Sequence, residues 1–90
     1  PPHLTSILGR VGDLENRTRL ARRVVRTVSR QPTGMPENGL VRLMSDRDDA
    51  VLSATYNLVH RGFLRRKDID GTSHLLVARH KVPSWWMRSD

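Results

Sequence analysis

The chain predicts a small α+β fold: three main helices followed by a two-stranded β-hairpin, with an extra amphipathic segment at the N-terminus. Three observations predict it. Apolar residues recur at helical spacing through the first two thirds of the chain. Gly62 closes the last helical run. Asp70-Gly71, a strong two-residue hairpin signal, then sits between two short runs of strand character. Ninety residues make one domain with a modest core. With 37% hydrophobic residues and 4% aromatic, further burial in a dimer or a larger parent protein fits the marginal core.

Residues 1–12 read as the N-terminal amphipathic segment. Leu4, Ile7, Leu8, Val11 and Leu14 recur at helical spacing and predict a short helix over 4–11, weakened by Gly9 and Gly12. Its apolar face needs the main core, a second subunit or further sequence to pack on. The chain opens on Pro1-Pro2 without an initiator Met, as a processed form or a piece of a longer protein would.

The main domain spans 13–79. Asp13 can cap helix 1, and Glu15 suits its first turn. The helix runs from about Leu14 to Arg30. Leu14, Leu20, Ala21, Val24, Val25 and Val28 share its apolar face. Arg19, Arg22, Arg23, Arg26 and Arg30 fall opposite, and Arg17 breaks the pattern by projecting to the apolar side. Gln31-Pro32-Thr33-Gly34 ends the helix. Helix 2 is short, from about Glu37 to Met44, with Leu40, Leu43 and Met44 facing inward. Ser45 and Asp46 supply turn and capping chemistry. Helix 3 runs from about Arg47 to Arg61 and buries Val51, Thr55, Leu58 and Val59.

The hairpin strands are Phe63–Ile69 and Thr72–Ala78. A type I′ turn at Asp70-Gly71 pairs Leu64 with Val77 and Arg66 with Leu75. Leu64, Leu75 and Val77 then face the core, while Arg65, Lys67 and His74 face outward. The tail, 80–90, holds Trp85-Trp86. Adjacent residues of an extended strand point oppositely, so one Trp packs back and the other is half exposed or in an interface.

The formal charge of +7 comes almost wholly from arginine, fourteen Arg against two Lys. Arginine's planar fork suits phosphate, although GC-rich coding also enriches it. The helix 1 arginine stripe therefore reads either as a solvated face or as a phosphate-contacting one. With no cysteine, disulfides and thiolate metal sites are excluded. No stretch approaches the roughly eighteen apolar residues of a membrane span, and no signal peptide is visible. A cytoplasmic home, bacterial or phage, or a nuclear one is the default. No P-loop, nucleotide fingerprint or metalloprotease motif occurs. His3, His60, His74 and His80 lack metal-ligand spacing. Asp46, Asp48 and Asp49 lack the Gly and distal Glu of a calcium loop and suit a helix start. The expectation is a non-enzymatic chain with no cofactor and no metal.

Residues 37–79 resemble a winged-helix DNA-binding domain, with helix 1 as the preceding helix. Leu58-Val59-His60-Arg61-Gly62-Phe63-Leu64-Arg65-Arg66 is similar to the family's usual end of the recognition helix. The resemblance implies that helix 3 meets double-stranded DNA and the hairpin acts as a wing. Asn57 would read a base, and Ser53, Tyr56 and His60 would share that outward face. Arg47 and Arg61 would flank it on phosphates, and Arg65, Lys67 and His74 would be the wing contacts. Asp46, Asp48 and Asp49 depart from the pattern, because carboxylates repel a phosphate backbone. A weaker resemblance is to Z-nucleic-acid-binding winged helices, carried by Tyr56 and Pro83-Ser84-Trp85. Their helix 3 Asn is replaced here by Leu52 and their adjacent basic residue by Ser53. The family implies transcription regulation or plasmid and phage replication, often as a homodimer. The N-terminal segment and Trp85 with Trp86 are candidate dimer surfaces. The alternative is a protein-interaction module of a larger assembly, in which helix 3 meets a protein partner.

Overall fold

Val24, Val25 and Val28 lie on one side of a 3.6-residue helix, and all three are fully buried. The computed structural model describes residues 17–88, within which the chain is helical over 17–29 (α1). The N-terminal segment 1–12, the Asp13 cap, Leu14 and Glu15 lie outside the described residues. Leu20 and Ala21 complete the apolar face of α1 and pack against the core.

The chain leaves α1 through Gln31 to Gly34, where Gly34 donates its N–H to the Gln31 carbonyl at 2.9 Å. Gly34 has a φ of 117°, open to glycine and strained for other residues. A Cβ there would stand 3.3 Å from the His74 Cβ. This close approach lays Met35–Pro36 (β1) along the hairpin, with Met35 opposite Leu75 and Pro36 opposite His74. The sheet therefore has three antiparallel strands where the sequence predicts two, in the order β1-β3-β2. A two-residue strand containing proline carries no alternation, so local pattern does not reveal it.

Glu37–Leu43 forms α2 and Asp48–His60 forms α3. Leu40 and Met44 are buried as expected, but Leu43 is 63% exposed. The short helix has only one inward stripe, and Leu40 with Met44 fills it. Val51, Thr55 and Leu58 of α3 are buried, and Val59 packs partly. The Thr55 hydroxyl is satisfied within the helix, donating to the Val51 carbonyl at 2.8 Å.

A full C-terminal cap ends α3. Gly62 takes a φ of 83° and donates to the Val59 carbonyl at 3.0 Å, and Phe63 donates to Leu58 at 2.9 Å. Strands Leu64–Ile69 (β2) and Thr72–Val77 (β3) pair in the predicted register, Leu64 with Val77 and Arg66 with Leu75. Asp70 and Gly71 have φ of 53° and 81°, the two positive values of a type I′ turn. After the sheet, Ser84–Met87 forms a single 3-10 turn. Val82 and Trp86 join the core, and Trp85 is 52% exposed. The tryptophan pair splits as expected, but through a 3-10 turn, with three residues per turn, in place of an extended strand. The described residues form a small α+β fold of three helices and a three-stranded antiparallel sheet, an arrangement compatible with a winged-helix-like fold.

Candidate nucleic-acid interface

Strand alternation sorts the basic residues of β2. Arg66 lies on the face of Leu64 and Leu75, and its Nε donates to Glu37 Oε1 at 2.6 Å. Ser73, on the same face, donates its hydroxyl to that oxygen at 3.1 Å. Glu37 thereby clasps the hairpin to the start of α2. Arg65 and Lys67 point the other way. Among the described residues their side chains make no hydrogen bond or ion pair, and both are exposed. His74, opposite Lys67, is half-buried, with Nδ1 2.8 Å from the Thr72 carbonyl. A carbonyl can only accept, so Nδ1 carries the proton in that contact. The expected hairpin trio of Arg65, Lys67 and His74 therefore shares one face.

The expected residues of α3, from Tyr56 to Arg61, span an arc of about 140° of the helix surface. Tyr56 and His60, one turn apart, face solvent with parallel rings 6.4 Å between centroids. Ser53, Asn57 and Arg61 line a hollow of about 430 Å³ between α1 and α3. Arg17 and Leu20 form its α1 wall, and Trp86 contributes to its lining. Asn57 is exposed but borders this hollow, about 100° round the helix from Tyr56.

The first turn of α3 is acidic. Arg47 occupies the N-cap position without a side-chain cap bond. Its guanidinium lies 3.0 Å from Asp49 Oδ2, in a pair that is largely exposed. Asp46 does not cap α3 but receives Arg23, with Arg23 Nη2 2.9 Å from Oδ1 and Nη1 3.3 Å from Oδ2. This pair ties α1 to the α2–α3 turn across 23 positions of sequence.

The arginine stripe of α1 is not uniform. Arg22 reaches the C-terminal turn, where its Nη2 donates to the carbonyls of Trp85 and Arg88, each at 3.2 Å. Its Nε donates to Trp86 at 3.4 Å, and its guanidinium lies 5.3 Å from the Trp85 ring centroid. Arg19 and Arg30 are exposed and Arg26 is half-buried. Among the described residues these three guanidinium groups make no hydrogen bond or ion pair.

Tyr56 and Trp85, which carry the weaker resemblance, have separate ring partners. Trp85 meets Trp86 edge-on at 6.0 Å, while Trp86 meets Phe63 at 5.4 Å. The sequence gives no sign of the Glu37 clasp, since its members lie 29 and 36 positions apart. Parity along β2 does place Arg66 on the core side. It carries no information about which acid waits there.

No family model, curated protein or solved structure matches the chain. Among the described residues no helix is long and apolar enough to cross a membrane.

Proposed function

We propose that the chain is a winged-helix module that binds double-stranded DNA, with α3 in the major groove and the hairpin as a wing on the adjacent backbone. The observation that carries this reading is the sorting of charge on β2. Arg66 is held by Glu37, while Arg65 and Lys67 project from the opposite face without an ion-pair partner among the described residues. A cation held by a carboxylate has little left for phosphate, whereas a free pair on a rigid hairpin can displace counterions from DNA. Tyr56, His60, Ser53 and Asn57 supply hydrogen-bonding and stacking groups on α3. Arg47 and Arg61 flank them. Regulation of transcription or of plasmid or phage replication is the setting such a module suits, in a cytoplasmic or nuclear location.

The test is fluorescence anisotropy of a labelled random duplex from low to physiological salt. Affinity should fall steeply with log salt. Absence of binding at low salt, despite the +7 charge, would overturn the reading.

A second reading rests on a different observation. Leu52 is 49% and Tyr56 62% exposed on α3, beside the acidic Asp48 and Asp49. An apolar pair flanked by carboxylates suits a basic protein partner better than phosphate. Binding that is weak and insensitive to salt would favour this second reading.

A further inference from the structure

The arginines of α1 differ in what they touch. Arg22 is folded onto the C-terminal turn and Arg23 onto Asp46. Arg26 and Arg30 sit one turn apart with no hydrogen bond or ion pair among the described residues. Beside them lies an open hollow of about 440 Å³. Arg23, Arg26 and Arg30 wall one side, and Leu43, Met44 and Ser45 the other. The Thr27 hydroxyl is already committed, donating to the Arg23 carbonyl at 2.7 Å. The exposed Ser45 hydroxyl makes no hydrogen bond among the described residues, so it can donate to an incoming oxygen.

This hollow is built at a cost. Residues 17–36 contain no Asp or Glu, and like charges one helical turn apart repel. Of Arg23, Arg26 and Arg30, Arg23 alone has an acidic partner among the described residues, Asp46. An anion in the hollow would relieve Arg26 and Arg30, and guanidinium forks match phosphate oxygens in plane and spacing. The basic line from exposed Arg19 to exposed Arg30 runs about 16 Å along the helix. That is longer than one small anion, so the chemistry favours a polyanion.

The hollow also stands apart from the hairpin. Glu37, at the start of α2, holds the hairpin, while the hollow adjoins the other end of α2, about 10 Å away along the helix. Arg26 is two residues from Val24 and from Val28, about 200° round α1 from each. It therefore leaves the helix away from the core. Arg65 and Lys67 leave the sheet away from Leu64 and Leu75, which enter the same core.

We propose that this hollow is a second phosphodiester-binding site for a second duplex segment, so that one chain bridges two duplexes. The proposal rests on the duplex-binding reading above. Its test is a capture assay. A random-sequence duplex is immobilised, loaded with protein at low salt, and offered a fluorescent second duplex. Wild-type protein should retain the second duplex. Arg26→Gln with Arg30→Gln should keep single-duplex affinity within about threefold yet capture at least roughly tenfold less, with an unchanged circular dichroism spectrum. Capture that survives this double substitution would overturn the second site, because bridging would then arise elsewhere, as from paired copies. Wild-type protein that binds single duplexes but captures none would also overturn it, leaving the duplex-binding reading intact. Failure to bind any duplex would overturn both.

Discussion

Arg65 and Arg66 are chemically identical neighbours with opposite fates, because a strand turns successive side chains to opposite faces. Arg66 is bonded to Glu37, and Arg65 is exposed. Their substitutions should therefore separate. Arg66→Ala breaks a partly exposed ion pair and should lower stability by about 0.5–1 kcal/mol in urea unfolding, leaving duplex affinity nearly unchanged. Arg65→Ala should leave the urea midpoint in place and weaken duplex binding. Removing Arg65 and Lys67 together should reduce the slope of log affinity against log salt by about 2. If both single variants lose affinity equally, the charge on β2 is not sorted as described.

At the scale of elements, three positive-φ glycines set the joints, and their surroundings predict different tolerances. Gly71 has open space around a would-be Cβ, so Gly71→Ala should cost about 1 kcal/mol through backbone strain alone. Gly34→Ala adds a 3.3 Å contact with His74 to the same strain and should cost more. Equal melting temperatures for the two variants would show that β1 yields freely at that contact. These joints also show what was legible in the sequence. Gly62 and Asp70-Gly71 are local signals, and the α3 stop, the type I′ turn and the strand register follow from them. The burial of Leu40 and Met44 follows from helical spacing. The exposure of Leu43 does not, because a short helix gives too few residues to locate the centre of its apolar stripe. Strand β1, the Arg23–Asp46 pair and the Arg22 anchor depend on residues brought together from distant positions, which periodicity cannot see. On the candidate site, strand alternation placed Arg65, Lys67 and His74 on one face. That Ser53, Asn57 and Arg61 border a hollow beside α1 emerged only with the position of α1.

For the whole molecule, one core joins α1, both longer strands and the C-terminal turn, so damage at its centre should be felt everywhere. Leu58 is 2% exposed, and Leu58→Ala should cost about 2–5 kcal/mol, which is a large part of a small domain's stability. A neutral result would overturn the placement of α3. Net charge adds a second global effect. A chain at +7 with a long arginine face repels itself, and salt screens that repulsion. The melting temperature should rise by about 2–4 °C from low to physiological salt, the shift expected for about half a kcal/mol in a domain of this size. A flat or falling melting temperature would mean that internal ion pairs outweigh the repulsion.

The strand order β1-β3-β2 leaves β1 and β2 as the two edges of the sheet. One edge is two residues long and ends in Pro36, which has no N–H to offer. The other carries Arg65, Arg66, Lys67 and Asp68 in succession. Short, proline-bearing and highly charged edges are those that resist the addition of a foreign strand. The sheet is thereby guarded against edge-to-edge polymerisation. Strand addition at the β2 edge would have to bring its backbone past this run of charge, which favours recognition of the sheet through its side chains.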